Sequence, residues 1–508
     1  MTDVGSTAGP AAATLRDVGG GKTTRRLLVA AVVGALASGA AAQADRLPTP
    51  AECAAGDAAP LTLGTAKGAA AVCAGPVYAG GNPIYPCGTI LVGPFALAGT
   101  PDDDPAASCD ATDPLDDELR YRVALPPGYD AEPERRWPVI YLLPGGGGDE
   151  LAWETFTDIV PQVAATGVIV VLPYGGLTFH TDWEVGERRA YERAFVERLV
   201  PEVDATYRTM ASREYRAIGG FSRGGYGAML TAARHPDLFT AAGSFSGALD
   251  PLGDARDEQL YLVAATAPGR YDELMGQAPW FGDPVSNELG WRERSPVELA
   301  PALSGTELWV TSGNGTPDEN DAADPLFALS SQVEVLIHRS SARFHRELVA
   351  LGIAHHYEVH AGVHDYRNAG ADVLAWASHL QVAGFGDGPP ATFELRNADP
   401  VFAAHGWTFA ADPARAPEFL DVTAAGPLGV TLTGSGATTV ITATLFEPNQ
   451  LVGVTWAERG QTEQADSDGR LRFVIDLGPP HRFQQFTLDA ATARQMPVSM
   501  AITFQPQA

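Results

Sequence analysis

GGFSRGGYGA, residues 219–228, holds a serine between glycines just after the run REYRAI, which has the character of a strand. Gly220-Phe221-Ser222-Arg223-Gly224 is a G-x-S-x-G pattern, and the residues that follow read as a helix. A serine on a sharp strand-to-helix turn is the arrangement of a nucleophile elbow. The turn crowds backbone against its neighbours, so the positions two before and two after the serine have to be minimal. The helix points its first amides at the site, where negative charge develops during acyl transfer. Ser222 is therefore the candidate nucleophile.

A serine nucleophile needs a base oriented by an acid, and in this chain order the acid precedes the histidine. His364, in AGVHDYRNAG, falls in a loop between the last predicted strand and the last predicted helix, where the base is expected. His355, His356 and His360 lie within the strand, and His338 and His345 on a long amphipathic helix. The acid is expected after the strand ELWVTSG, in the loop SGNGTPDENDAADP, which offers Asp318, Glu319, Asp321 and Asp324; spacing does not choose among them. Two backbone amides are expected to bind the oxyanion, from Arg223 after the nucleophile and from Gly146 in LLPGGGGDE. No metal or organic cofactor is required by this chemistry.

The elements that position these groups alternate. WPVIYLLPG, VIVVLPYG, EYRAIGGFS, AAGSFSG, ELWVTSG and HHYEVHAG read as short apolar strands. LAWETFTDIVPQVAATG, RAYERAFVERLVPEVDATY, RGGYGAMLTAARHP, the stretch from Phe327 to Gly352 and ADVLAWASHLQ read as helices. Such alternation predicts a mostly parallel sheet covered on both faces. From about residue 388 the pattern becomes short strands with Gly-Ser-Gly and Ser-Asp-Gly turns and no helix, which predicts an all-β sandwich-like C-terminal domain over 388–508.

WPVIYLLPG, the Thr181-Asp182-Trp183 triplet, GGFSRGGYGAML, LWVTSGNGTPDEN, the GVHDY loop and GWRERSPVELAPAL together resemble the esterase-D-type α/β-hydrolases, and within them the secreted mycolyltransferases (the antigen eighty-five family). The resemblance covers roughly residues 85–385 and implies an α/β-hydrolase fold. It also implies Glu319, the last residue of GNGTPxE, as the acid beside Ser222 and His364, and Gly146 and Arg223 as oxyanion donors. Asp182 and Trp183 match that family's Ser-Asp-Trp and are candidates for the acyl-acceptor side. Two features depart from the family. Its oxyanion loop reads Asp-Gly-Leu-Arg where this chain has Pro144-Gly145-Gly146-Gly147, and its His-Ser-Trp is here His364-Asp365-Tyr366. The sugar-holding acid and arginine are thus missing, which favours water over a sugar as the acyl acceptor.

Trp280, Phe281 and Trp291 are candidates for the roof of an acyl pocket, with a place in the core as the plain alternative. In the C-terminal region Trp407 and Trp456 are the aromatic residues that a carbohydrate platform would use.

The rest of the chain bounds the setting. At 508 residues it exceeds one ordinary core, and we divide it into 1–44, 45–115, 116–385 and 388–508. Lys22, Arg25 and Arg26 precede an apolar, alanine-rich run that ends in Ala42-Gln43-Ala44, the layout of a Sec or twin-arginine export signal. Cys53, Cys73, Cys87 and Cys109 are the only cysteines, and their even number after such a signal suggests two disulfides. No Cys-x-x-Cys spacing supports a metal site. The net charge of −28 argues against nucleic acid as a partner. The expectation is a secreted, monomeric serine esterase acting on ester or acyl-lipid substrates, with polysaccharide or cell wall as a possible partner of the C-terminal domain. Its rivals are an acyltransferase that passes the acyl group to a sugar or glycerol hydroxyl and an inactive wall-binding protein.

Overall fold

The computed structural model describes residues 121–146, 148–175, 179–182, 191–256, 281, 286–317, 327–386 and 388–507, with the backbone of three earlier strands at 59–65, 68–74 and 90–93. The export signal, Trp183, Trp280, Glu319, Cys53, Cys87 and Cys109 lie outside the described residues. Cys73 is described only as backbone, in β2 (Gly68–Ala74), which pairs antiparallel with β1 (Ala59–Thr65).

The larger, α/β half is built on one eight-stranded sheet. Its strands are β3 (Ile90–Gly93), β4 (Tyr121–Ala124), β5 (Val139–Leu143), β6 (Ile169–Pro173), β7 (Arg216–Phe221), β8 (Ala241–Phe245), β9 (Glu307–Gly313) and β10 (His356–His360). Their order is β10-β9-β8-β7-β5-β6-β4-β3. Pairings from β10 across to β6 are parallel, whereas β4 joins β6, and β3 joins β4, antiparallel. The residues of β5, β6, β7 and β8 are buried on both faces, which is why these strands read as unbroken apolar runs.

Helices cover the two faces. The run LAWETFTDIVPQVAATG forms two short helices, Ala152–Phe156 and Ile159–Ala164, instead of one; Thr157 and Asp158 separate them. The helical stretch from Tyr191 to Thr206 is interrupted by a π-helical turn at Phe195–Leu199. Arg223–Arg234 and Phe327–Leu351 form as expected from their periodicity, whereas the last helix, Tyr366–Ala383, starts five residues before the expected Ala371, with Asp365 as its cap.

Beyond residue 390 two antiparallel sheets follow, of six and four strands. Rings from the two sheets meet: Phe504 lies 6.2 Å from Trp407 and 5.7 Å from Phe473, centre to centre. This all-β unit has one short helix that the sequence reading lacks, Leu488–Thr492, whose first turn is capped by the Thr487 hydroxyl accepting from the Ala490 amide. Trp407 is 2 % exposed and belongs to this core, so it is no carbohydrate platform. Trp456 is partly buried and packs against the same core.

The all-β unit is bound to the α/β half along the segment 287–303. Gln484 donates to Asn287, Arg292 lies over the Phe486 ring, and Arg396 pairs with Glu298. Arg234, at the end of the helix that follows Ser222, bridges buried Glu192 and Asp399.

Candidate active site

Strand β7 delivers the chain to Ser222, where the backbone turns into the helix Arg223–Arg234 with φ 55° and ψ −116°, a conformation that a side-chain-bearing residue seldom adopts. The turn is held on both sides. The Ser222 amide donates to the Phe245 carbonyl on β8, and the Ser222 carbonyl accepts from the Tyr226 amide in the helix. Glycine is required at two flanking positions. A Cβ on Gly220 would lie 2.4 Å from the Gly224 carbonyl carbon, and one on Gly224 would lie 2.4 Å from the Leu143 carbonyl oxygen. Both are backbone neighbours that have no side chain to swing away.

His364 reaches this serine from the loop after β10. Its Nε2 is 2.8 Å from Ser222 Oγ. Its Nδ1 is 2.6 Å from Oε2 of Glu334, and the second carboxylate oxygen, Oε1, accepts from Ser246 Oγ at 2.6 Å. A carboxylate only accepts, so it fixes the proton on Nδ1 and leaves Nε2 facing the serine. Glu334 has a side-chain exposure of 0 % and His364 of 5 %, so the pair is shielded from water. The loop is tied at its root: the His364 amide donates to Ser330 O, and Gly362 exchanges hydrogen bonds with Gly315 and Thr316.

The expected acid, Glu319, lies outside the described residues; the carboxylate that meets His364 is Glu334, on the helix Phe327–Leu351. The reason is visible in the burial of that helix. Ser330, Val333, Glu334, Ile337, Ser340, Ser341, Phe344 and Leu348 form the buried stripe, so position 334 faces inward beneath the histidine. A glutamate set within a stripe of otherwise apolar and small residues is the signal that sequence reading passed over.

The oxyanion loop follows β5. Gly145 donates its amide to the Tyr366 hydroxyl at 2.7 Å, which commits that amide and leaves Gly146 as the candidate donor. The Arg223 amide is at the first position of its helix, where no intrahelical acceptor is available. The Arg223 side chain is buried and its guanidinium packs flat against Gly146, since a Cβ there would come within 2.4 Å of Nε. That cation also lies 4.4 Å from the ring centre of Phe179. Burial lowers its pKa to about 9, so it stays charged at neutral pH beside the oxyanion loop.

The remaining sequence candidates fall elsewhere. Asp182 accepts from the Arg193 amide at 3.2 Å and faces its guanidinium at 3.4 Å; it ties its loop to the next helix. Trp291 is buried, 4.8 Å from the Phe281 ring, and Phe281 in turn touches Phe179 and Tyr226. This is a core stack, not an exposed roof. Among the described residues no cluster of metal-ligating side chains occurs.

His180 supports the loop from below, and sequence reading gave it no role. It is buried with φ 54°, and its Nε2–H donates to Pro144 O at 3.1 Å. Burial drives its pKa down to about 4. An unfolded histidine titrates near 6.5, so the unfolded chain binds the extra proton between those values. The stability contribution of neutral His180 is full above pH ~6.5 and is lost as pH falls towards 4, by up to roughly 3 kcal/mol. Urea unfolding at pH 7, 5.5 and 4.5 is expected to show a steeper loss for the wild type than for His180→Gln. Equal slopes would contradict this.

A mostly parallel sheet with a serine elbow at the tip of a central strand, and a histidine and a carboxylate delivered by later loops and helices, defines the α/β-hydrolase class. The comparisons with known proteins agree. Residues 112–383 match the family model described as Putative esterase, more than half of the chain, and the chain belongs to that family.

Esterase Rv1288 of Mycobacterium tuberculosis is 29% identical over 253 residues, 48% of this chain and 52% of the relative. Diacylglycerol acyltransferase/mycolyltransferase Ag85B of Mycobacterium leprae is 29% identical over 258 residues, 48% of this chain and 75% of the relative. The chain thus spans about half the length of the first of these relatives. Among solved structures, Mycobacterium tuberculosis MPT51 overlays with a TM-score of 0.42 at 23% identity, covering 53% of this chain and 95% of that one.

Proposed function

We propose that this chain is a serine carboxylic-ester hydrolase that works through an acyl-enzyme on Ser222. His364 takes the Ser222 proton as the Oγ–carbonyl carbon bond forms, and returns it to the leaving alkoxide as the ester C–O bond breaks. Water then enters, gives its proton to His364, and releases the carboxylic acid as Oγ is reprotonated. Glu334 holds the histidine tautomer and balances the imidazolium that forms. The amides of Gly146 and Arg223 take the oxyanion, each such donor contributing roughly 3 kcal/mol.

The observation that carries this reading is the unbroken line of hydrogen bonds Ser222–His364–Glu334–Ser246, set at a strained elbow. Family membership supports ester chemistry, and the relatives' printed names include both esterases and acyltransferases. Pro144-Gly145-Gly146-Gly147 offers no side chain to hold a sugar, which favours water as acceptor. No helix among the described residues is long and apolar enough to cross a membrane. The export-type pattern from Lys22 to Ala44 supports action outside the cell.

Two measurements on one preparation test the proposal. A fluorophosphonate is expected to form a covalent adduct on the peptide carrying Ser222; an adduct elsewhere, or none, overturns the nucleophile. A short-chain p-nitrophenyl ester, with and without trehalose or glycerol, is expected to yield free acid faster than acylated alcohol. The reverse order makes the chain an acyltransferase.

A further inference from the structure

Tyr366 occupies the place of the aromatic residue that follows the histidine, and its chemistry differs from that of a tryptophan. The Gly145 amide donates to its hydroxyl at 2.7 Å. An indole carries a donor and no acceptor, so a tryptophan has nothing to offer that amide. The Tyr366 ring is fixed by its neighbours: it stacks on Phe156 at 5.0 Å, meets the edge of Trp153 at 5.0 Å and lies 4.6 Å from Phe221, the residue before the nucleophile. Trp153 is itself bonded to the Leu143 carbonyl at the end of β5, 3.1 Å away. The hydroxyl therefore reaches the loop from a ring that is held on three sides.

We infer that Tyr366 is a positioning residue that sets the oxyanion loop, holding the Gly145 amide aside so that the next amide, Gly146, faces the reacting carbonyl. The inference rests on the ester-hydrolase reading above. Two consequences of the geometry give it content. His364 and Tyr366 are two residues apart at the start of one helix, with Asp365 between them accepting from the Asn368 amide at 2.9 Å as the helix cap. The base and the tether of the oxyanion loop therefore move as one unit. Gly146, in turn, is confined on its other side by the Arg223 guanidinium. The loop is thus gripped between a neutral acceptor at Gly145 and a cation at Gly146. Burial holds the phenol proton on well above its ordinary range, so the acceptor stays neutral at working pH.

The tests are Tyr366→Phe, which removes only the acceptor, and Tyr366→Trp, which restores the aromatic residue of the resembling family. In the full chain both are expected to lower kcat for a p-nitrophenyl ester by roughly tenfold or more, with KM within about twofold, because a misplaced oxyanion donor weakens the transition state and not substrate binding. The affinity for an alkyl boronic acid, which becomes tetrahedral on the serine, is expected to fall by the same factor. Thermal midpoints within a few degrees of wild type keep the effect apart from unfolding.

A Phe variant with unchanged kcat overturns the inference, as does a parallel rise in KM and fall in midpoint. Failure of the underlying reading is separate: in that case the wild type itself forms no fluorophosphonate adduct at Ser222, whatever residue stands at 366.

Discussion

Replacing Glu334 by Gln is expected to lower kcat/KM for a simple ester by about 10³–10⁴-fold, while Glu319→Gln stays within about threefold of wild type. The first value is the scale seen when a triad carboxylate becomes an amide of the same shape. A glutamine at 334 can turn its NH2 towards His364 and so favour the wrong tautomer, with the proton on Nε2 facing a serine that then has no base. The second oxygen matters too, since Ser246 Oγ donates to Oε1 at 2.6 Å and fixes the rotation of the carboxylate. Ser246→Ala would loosen that rotation, whereas Glu334→Gln removes the charge that stabilises the imidazolium. Steady-state kinetics on both glutamine variants decides the matter. Full activity in Glu334→Gln together with a large loss in Glu319→Gln would return the acid to the loop after β9.

Replacing Gly224 by Ala is expected to remove both activity and much of the stability, by about 3 kcal/mol or more. The added methyl would meet the Leu143 carbonyl oxygen at 2.4 Å and the Pro144 carbonyl oxygen at 2.6 Å. Both atoms belong to the end of β5 and the start of the oxyanion loop, so relief has to come from moving backbone. Any movement that makes room separates the elbow from the donor loop, and the two faults appear together. The measurements are urea unfolding followed by tryptophan fluorescence and labelling by fluorophosphonate. Gly225→Ala is the milder comparison: its methyl would come within 2.8 Å of the Ser244 hydroxyl, a side-chain atom with some freedom to turn, though the Gly220 carbonyl oxygen is 2.9 Å away. A Gly224→Ala protein as stable and reactive as wild type would mean that the elbow is looser than its contacts indicate.

Much of the catalytic half is legible in the sequence because its strands are buried on both faces and its helices are periodic. Apolar runs of five or six residues had no other place to go, and Ser222 and His364 sit at turns between such elements. Gly146 and Arg223 are proposed as donors by the same logic, since a backbone donor needs only a position relative to a strand or helix.

Glu334 was hidden for a physical reason. It lies within a 25-residue helix, and a lone carboxylate on a helix ordinarily faces water. Only the folded sheet brings it beneath a histidine 30 residues further on. Its place on the buried stripe was readable, but that stripe mixes serines with Val333, Ile337 and Phe344, which weakens the contrast. Trp291 and Trp407 failed in the opposite sense: a large aromatic side chain is attractive as a ligand surface, and both were needed to fill interior volume. His180 was invisible because its role depends on a positive φ and a carbonyl 36 residues earlier in the chain.

The ties between the two halves make each sensitive to change in the other. Asn287, Arg292 and Glu298, which hold the all-β unit, all stand just after the stretch 257–280, and the helix Pro251–Arg256 stands just before it. The residues that follow that stretch are thus held by the all-β unit. A change at Gln484, Phe486 or Arg396 in the all-β unit would therefore be felt at residues 287–298 of the other half.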